Sequence, residues 1–571
     1  MATLVPVRAR ERLAAPLGLP VDWIVWPALA AGVVLRFWKS GTPGLWVDEG
    51  FTAKLAATKA AAILEALRRD DAPPLFYLLE KGMTWCFGDS EAALRLLPAL
   101  ASALATWTAV RIARRWFPSA VAGTALVFAF STPMIFYAHQ ARGYGLIHLL
   151  VLVLVYATLA YLERPTMASG AGIAVTSSAL LFVHNLGIAP AVTAVAIASW
   201  SGLRRRPPGG GGRTKRSLLL IWSVFALSAL VFAIGIGGYV GNHRELNSWM
   251  GVWWQGRSLA LAPFFSAMAF TNGGAGALDP PVPLPTIPDR LAWARFAVFA
   301  AVAIGLALGC VRTKTPARVL AAFVAVPIAT LIAACLFIGP TYVVGRTATF
   351  ALPPFLLFVV VGWFTVRTRV LVSGFLAVWL FAAVLCLSGG SEAGIPKESD
   401  RALARWIGAR VETGDAVVAA PLGKPTLEYY GRRQEWLDRT TGIRSFPAVL
   451  DANPAGLVAT PADSLWSYLA EAREMRAGWE RDGVRSVWVE AVLRDPTEVW
   501  PQLPTAPGPE ARTITVDRLA YPGSLVVFTL RGLEPAPVSA LMRRDWVDGD
   551  RVLLCIPRTQ WVPLDSLPTV Q

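Results

Sequence analysis

The sequence of 571 residues is poor in charged side chains, which make up 16% of it, whereas 55% of its residues are hydrophobic. Soluble domains carry about 25% charged residues, so the deficit excludes an ordinary soluble enzyme and indicates a polytopic membrane protein. The 23 Trp residues agree with this interpretation because Trp concentrates at bilayer interfaces. The net charge is +15, but much of it lies in short clusters between apolar runs. We therefore expect the charge to set membrane orientation and predict no nucleic-acid partner.

Cysteine is also scarce, and the motifs of several common sites are missing. The five cysteines form no CxxC pair, which disfavours a disulfide framework or a thiolate zinc site. The glycine-rich run at 207–213 lacks the GK[ST] ending of a nucleotide-binding loop and is predicted to be a flexible linker. The first apolar run, 23–35, has no convincing small-residue cleavage site, so it predicts a membrane helix that is retained.

Apolar runs of membrane-spanning length recur along the first two thirds of the chain. Because a helix needs about 20 apolar residues to cross the hydrocarbon core, we predict eleven spans: 21–40, 94–115, 119–137, 143–162, 168–185, 187–203, 217–239, 291–312, 317–338, 346–366 and 369–388. The segments 52–69, 73–88 and 259–270 are predicted to be helices that lie at the outer interface or dip into it.

The distribution of Lys and Arg predicts which connections face the cytoplasm. With the N-terminus inside, every cytoplasmic connection is basic, the clearest being the loop RRRPPGGGGRTKR at 204–216. The loops 41–93 and 240–290 then lie outside. The tail, 390–571, alternates polar and apolar residues and holds most of the acidic ones. It is predicted to be a soluble α/β or α+β domain outside the membrane, with a helix at 399–411 and strands at 415–420, 486–493 and 524–530.

Polar residues within apolar surroundings collect on the predicted outer face. They come from distant parts of the chain: Asp48, Glu49, Asp70, Asp71, His139, Gln140, Arg142, Tyr144, His184, Tyr342 and Arg346. Each has a purely structural alternative, as a solvated helix end, a helix cap, an interface anchor or a satisfied core histidine. Ionisable residues at membrane depth are costly, however, so their joint placement suggests a site.

The chemistry of these side chains suits transfer from an anionic lipid. A carboxylate can remove the proton from an acceptor hydroxyl or amine. Arginine grips phosphate with a forked and permanently charged set of donors. A lipid-phosphate leaving group needs such cations because negative charge develops on it as its bond breaks.

Six stretches carry a family resemblance, and their order and spacing extend over about 350 residues: LWVDEGFT (45–52), DDAPPLFYLL (70–79), FGDSEAALRLLPALASAL (87–104), YAHQARGYGL (137–146), FVHNLG (182–187) and GRTATFALPPFLL (345–357). They resemble integral-membrane glycosyltransferases of the GT-C fold, in particular bacterial relatives of protein O-mannosyltransferases and lipid A aminoarabinose transferases. The first loop, with its acidic pair, is the most specific of these stretches.

The resemblance implies an inverting transferase that uses a polyprenyl-phosphate sugar at the outer face of the bacterial cytoplasmic membrane. Its acceptor would be a glycan, a lipid or a protein of the cell envelope. Asp48 matches the family's catalytic base and Glu49 its neighbour. Arg142 and Arg346 match basic positions expected to contact the lipid phosphate, while Tyr144 and His184 match positions that line the same cavity.

The sequence departs from related bacterial sequences at two positions. A His that often precedes the Pro-Pro pair is Ala72 here, and a Glu that often precedes Ala-Arg is Gln140. No clear ligand set for a divalent metal is present, so metal dependence stays open. Two other functions also stay open: a transporter or flippase of lipid-linked sugars, and a catalytically silent relative that binds envelope polymer. A transporter would be expected to carry polar residues at the membrane midplane, often with inverted repeats.

Overall fold

The computed structural model describes residues 20–69, 72–204, 211–236, 254, 258–274, 284–312, 315–339, 341–388, 399–419, 423–446, 464–492, 530, 546–548, 551–561 and 563. The chain divides into two compact units. The first unit comprises Met1–Thr42 and Ala56–Ile395, and the second comprises Pro43–Leu55 and Pro396–Gln571. The boundary predicted near residue 390 falls among residues outside the described ranges, so it stays a prediction.

The described residues are largely helical. In chain order the helices are α1 Val21–Phe37, α2 Val47–Ala56, α3 Ala60–Arg69, α4 Leu75–Phe87, α5 Glu91–Leu94, α6 Leu96–Trp116, α7 Val121–Ala129, α8 Thr132–Ala138, α9 Tyr144–Glu163, α10 Met167–Val183, α11 Ile188–Arg204, α12 Gly211–Ile236, α13 Ala262–Ala269, α14 Ala292–Arg312, α15 Thr315–Phe337, α16 Leu352–Trp363, α17 Arg369–Ser388, α18 Ser399–Gly408, α19 Lys424–Arg433 and α20 Ser464–Arg481.

Seven of the described helical segments are long and apolar enough to cross a membrane, which confirms a multi-pass helical membrane protein. An eighth span results if Pro118–Ala129 and Thr132–Ala138, bent by 53°, are counted as one. Helices lie at the other three predicted positions too, but α1, α10 and α16 have only 17, 17 and 12 residues. The predicted number of eleven is therefore higher than the structure supports by length. Apolar composition does not show where a helix begins: residues 344–348 form turns before α16.

The three segments predicted as interfacial helices are helical, with differences. The segment 52–69 is interrupted between α2 and α3, and 73–88 forms α4. Helix α13 is not confined to a surface, because Ala262, Met268 and Ala269 are part of the buried apolar core of the first unit. The face of α13 that carries these residues is therefore covered by other helices of the first unit.

The break between α7 and α8 is held by polar side chains from distant segments. The Oδ1 atom of Asn272 accepts a hydrogen bond from the Thr132 amide at 2.8 Å. Its Nδ2 atom donates to the Phe130 carbonyl at 3.0 Å and to the Trp379 carbonyl at 3.1 Å. Arg36 donates to two carbonyls at the end of α7. Backbone groups freed at a break in a membrane helix need such partners because lipid offers none.

Replacing Asn272 by Leu should destabilise the first unit. The change keeps a side chain of similar size but leaves one buried amide and two buried carbonyls without this partner. We expect the free energy of unfolding to fall by about 2–4 kcal/mol, since each orphaned group costs about 1–3 kcal/mol and the surroundings relax in part. Thermal unfolding in detergent measures the effect. Thr330→Val is the control, because Thr330 is exposed and bonds only within its own helix; equal stability of the two variants would contradict the assignment.

The second unit contains a five-stranded mixed sheet of strands β1 Asp415–Ala419, β2 Thr440–Ser445, β3 Ser486–Val492, β4 Trp546–Asp548 and β5 Arg551–Pro557, in the order β2-β1-β3-β5-β4. The pairs β1–β2 and β1–β3 are parallel, and the pairs β3–β5 and β4–β5 are antiparallel. All five residues of β1 are buried, as its apolar run predicts. Together with α18, α19 and α20 the sheet confirms an α/β region.

Two of the three predicted strands and the predicted helix are present in the second unit. They correspond to β1, β3 and α18. The predicted strand 524–530 lies outside the described residues except for Leu530. Strand β2 was not predicted because its sequence, TTGIRS, is polar and includes Gly442 at a φ of 98°.

Candidate functional site

Arg142 lies in the short loop between α8 and α9. The position of this loop depends on the break before α8, because the break sets the direction of that helix. The Nη1 atom of Arg142 donates a hydrogen bond to the Tyr77 hydroxyl at 2.8 Å, and the guanidinium carbon lies 5.8 Å from the centre of the Tyr77 ring. The Arg142 amide donates to the Gln140 carbonyl at 2.7 Å. Through Tyr77, helix α4 orients the Arg142 guanidinium. Arg142 is half-buried, so part of its side chain is exposed.

Arg142 and Arg346 both lie close enough to His184 to act electrostatically on its ring. His184 lies between α10 and α11 and experiences the positive charge of both Arg142 and Arg346. Its Nδ1 atom accepts a hydrogen bond from the Leu186 amide at 3.1 Å, which leaves Nε2 to carry the proton of a neutral ring. All three side chains are half-buried. Three residues separated by up to about 200 positions thus converge in the first unit.

Aromatic side chains and one threonine continue this cluster into the buried interior. The rings of Tyr137 and Tyr144 lie 4.9 Å apart, and Tyr137 is 5.6 Å from the His148 ring. Tyr137 also lies near Thr349 and Arg346. The Nε2 atom of His148 is 2.7 Å from the Thr349 hydroxyl. The loop that carries Arg346 is thereby connected to α8 and α9.

The structure gives two predicted residues, His139 and Tyr342, other surroundings. The Nε2 atom of His139 donates to the Leu35 carbonyl at 3.1 Å, which ties this ring to α1. The Tyr342 hydroxyl bonds to Ser266 and donates to the Ala262 carbonyl, so Tyr342 packs against α13. Both contacts are structural and agree with the alternatives open at these positions.

Gln140 is buried next to this loop, at 1% exposure. Within the described ranges, neither its amide nitrogen nor its amide oxygen has a hydrogen-bond partner. A buried amide without partners is costly. This position therefore places a donor nitrogen and an acceptor oxygen where related sequences often have a Glu.

Asp48 and Glu49 lie in the first turn of α2, within the second unit. Negative charge is favourable there because the amide groups of a helix N-terminus are unpaired. Glu49 is fully buried, and one of its carboxylate oxygens accepts a hydrogen bond from the Trp46 amide at 3.4 Å. This is the contact that a residue three positions after a helix cap makes in a capping box. Asp48 is half-buried, and its carbonyl accepts from the Thr52 hydroxyl at 3.1 Å.

Asp70 and Asp71 lie outside the described residues. In the parts of the chain that the structure describes, no group of three or more His, Cys, Asp or Glu side chains is arranged to hold a metal ion. The arrangement instead offers arginine and amide donors, which suit an anion.

Four residues of the cluster were not predicted: Tyr77, Tyr137, His148 and Thr349. All but His148 lie within stretches that carry the resemblance, DDAPPLFYLL, YAHQARGYGL and GRTATFALPPFLL. A hydroxyl within an otherwise apolar run was the available signal, because such a group needs a buried partner. Their partners are remote in the sequence, so the contacts themselves had no local signature.

A comparison with protein families gives a match that includes part of this region. Residues 71–208, which include Tyr77, Arg142 and His184, match the family described as dolichyl-phosphate-mannose-protein mannosyltransferase. A comparison with curated proteins found no match.

The solved structures that are similar to the chain include two of one protein. One is the crystal structure of ArnT from Cupriavidus metallidurans bound to undecaprenyl phosphate, with 15% identity over 95% of this chain and 100% of that chain, at a TM-score of 0.38. The other is the same enzyme in the apo state, with 15% identity over 95% and 99% of the two chains, at a TM-score of 0.39. The family match confirms that residues 71–208 resemble the protein mannosyltransferases.

Proposed function

We propose that this protein is an inverting glycosyltransferase that moves a sugar from a polyprenyl-phosphate donor to an acceptor in the cell envelope. The observation that carries the proposal is the convergence of Arg142 and Arg346 on His184. This cluster includes residues from the segment that matches a family named for a lipid-phosphate sugar donor. Arginines at membrane depth are rare, and they often mark the path or the site of a charged substrate.

In the proposed reaction, the donor phosphate binds Arg142 and Arg346. Tyr77 accepts a hydrogen bond from Nη1 of Arg142 and thereby orients the guanidinium. The neutral His184 ring can donate a further hydrogen bond from Nε2. These groups stabilise the negative charge that the phosphate gains when the bond to the sugar breaks.

Asp48 is the proposed general base. Its carboxylate takes the proton from an acceptor hydroxyl, and the acceptor oxygen forms a bond to the anomeric carbon from the face opposite the phosphate. The bond from that carbon to the phosphate oxygen breaks, and its electron pair stays on the phosphate. One displacement inverts the anomeric configuration and releases polyprenyl phosphate. Glu49 has a different role in this proposal: it caps α2 through Trp46.

We further propose that transfer takes place at the outer face of the cytoplasmic membrane and that the tail domain lies on that side. The basic connections support this orientation, since Lys and Arg remain on the cytoplasmic side. A donor carried by a lipid also suits a site without a nucleotide-binding loop.

The test uses the purified full chain in liposomes with labelled undecaprenyl-phosphate sugars, namely mannose, glucose, arabinose and aminoarabinose, and a cell-envelope extract as the acceptor source. We expect label from at least one donor to enter the extract together with stoichiometric release of undecaprenyl phosphate. Movement of donor between leaflets without release would favour a flippase. Binding without either would favour a silent relative and would contradict the proposal.

A further inference from the structure

The loop that carries Asp48 is packed against helix α19 of the tail, within the second unit. The Leu45 amide donates a hydrogen bond to the Tyr430 hydroxyl at 2.7 Å, across 385 positions of the sequence. Leu45 is fully buried, and Tyr430 is only 3% exposed. Because a buried amide needs a hydrogen-bond partner, this bond holds the segment that precedes α2 in place against Tyr430.

Gly50 allows α2 and α19 to approach closely. A Cβ atom at this position would lie 2.9 Å from the amide nitrogen and 3.0 Å from the Cα atom of Thr426, and still closer to its hydroxyl. Both distances are shorter than an ordinary van der Waals contact. Any side chain at residue 50 must therefore push α2 away from α19, two residues from Asp48.

A third contact follows one turn later along α2. The Lys54 ammonium lies 3.6 Å from the Glu428 carboxylate. The pair is partly exposed, so it contributes orientation more than stability. Leu45, Gly50 and Lys54 thus contact Tyr430, Thr426 and Glu428, which lie within little more than one turn of α19.

Helix α19 is itself well anchored within its unit. It packs against α18 and strand β2. The Trp436 side chain is fully buried, and Gly408 and Gly431 make room for it. The Tyr429 and Tyr430 rings lie 4.9 Å apart. A rigid helix is the kind of support that can position a reactive side chain.

We propose that α19 of the tail domain positions the catalytic loop, with Thr426, Glu428 and Tyr430 as positioning residues for Asp48. This inference rests on the proposed function, because it assigns Asp48 the role of base. In this proposal the tail contributes to catalysis by positioning Asp48, in addition to any contact with the acceptor. It also explains why a glycine lies between the acidic pair and the rest of α2.

The test compares Gly50→Ala with Gly82→Ala in the full chain. Gly82 lies within α4 and has no atom within 4 Å of an added Cβ, so it is a matched helical control. We expect Gly50→Ala to lower kcat by about 10- to 100-fold, because a displacement of about 1 Å at a reacting group costs that much. KM for the donor and Kd for undecaprenyl phosphate should stay within about twofold, since neither arginine is changed. Gly82→Ala should leave all of these values unchanged.

Hydrogen exchange of the peptide 43–55 reports on the contact independently of turnover. We expect faster exchange in Gly50→Ala and in Tyr430→Phe, and no change in Gly82→Ala. Tyr430→Phe removes one oxygen atom, so it keeps the test usable if Gly50→Ala does not fold; its kcat should fall by about threefold or more.

Two outcomes would overturn the inference: unchanged exchange in Gly50→Ala, or faster exchange with unchanged kcat. Absence of transfer by the wild-type chain would instead count against the proposed function. The two failures are therefore distinguishable.

Discussion

Asp48→Asn is expected to lower the rate of sugar transfer by about 10²- to 10⁴-fold, the contribution of a positioned general base. Asn has nearly the same shape as Asp, and loss of one negative charge from the first turn of a helix costs only about 0.3–1 kcal/mol. The Thr52 hydroxyl bonds to the backbone carbonyl of residue 48, so this contact does not depend on the side chain. What the substitution removes is the capacity to accept a proton.

Measurement of kcat with a saturating labelled donor, together with the Kd of undecaprenyl phosphate, checks this expectation. Only kcat should fall, because the arginines that are proposed to bind phosphate are intact. The melting temperature in detergent should change little. Full turnover in Asp48→Asn would contradict the assignment of this residue as the base.

Glu49→Gln is the matched control on the neighbouring carboxylate. Glu49 is buried and accepts a hydrogen bond from the Trp46 amide, and the amide oxygen of Gln can accept the same bond. We therefore expect Glu49→Gln to retain turnover within a few-fold, about the cost of one weakened hydrogen bond. Loss of turnover equal to that of Asp48→Asn would show instead that both acids take part in the chemistry.

Local sequence accounts for the positions of the helices better than for their ends. An apolar run predicts a membrane helix because the run must avoid water, and helices lie at all eleven predicted positions. The interruption at residues 130–131 was not predictable, since its backbone groups bond to Asn272 and Arg36 from other parts of the chain. In the same way, the polar strand β2 forms because it pairs with β1.

The candidate site shows the same division between local and remote information. The residue types were predictable, because carboxylates and arginines in apolar surroundings need a reason to be there. Their partners were not: Tyr77 is 65 positions from Arg142, and Tyr430 is 385 positions from Leu45. The proposal of different roles for Asp48 and Glu49 also needed the structure, because only there is the Glu49 side chain seen to be buried and the Asp48 side chain half-buried.

The second large effect is expected at the proposed phosphate site. Arg142→Met should raise the Kd of undecaprenyl phosphate by about 10- to 100-fold, because a hydrogen bond to a charged group contributes about 1.5–3 kcal/mol and each 1.4 kcal/mol is tenfold. Arg346→Met should have an effect of similar size. Arg142→Lys should recover only part of the loss, since an ammonium group keeps the charge but not the forked donor geometry.

Binding of undecaprenol, which has the same lipid chain without phosphate, separates the two contributions to affinity. The arginine variants should leave its binding unchanged, because they act on the headgroup. Arg114→Met is the control for loss of a positive charge elsewhere, since Arg114 is part of an exposed ion pair with Asp22; its Kd for undecaprenyl phosphate should match the wild type. If both arginines hold one phosphate, the double variant should lose less than the product of the two single effects, because the second loss acts on a contact already weakened. Independent effects, or equal losses for undecaprenol, would contradict a shared phosphate site at Arg142 and Arg346.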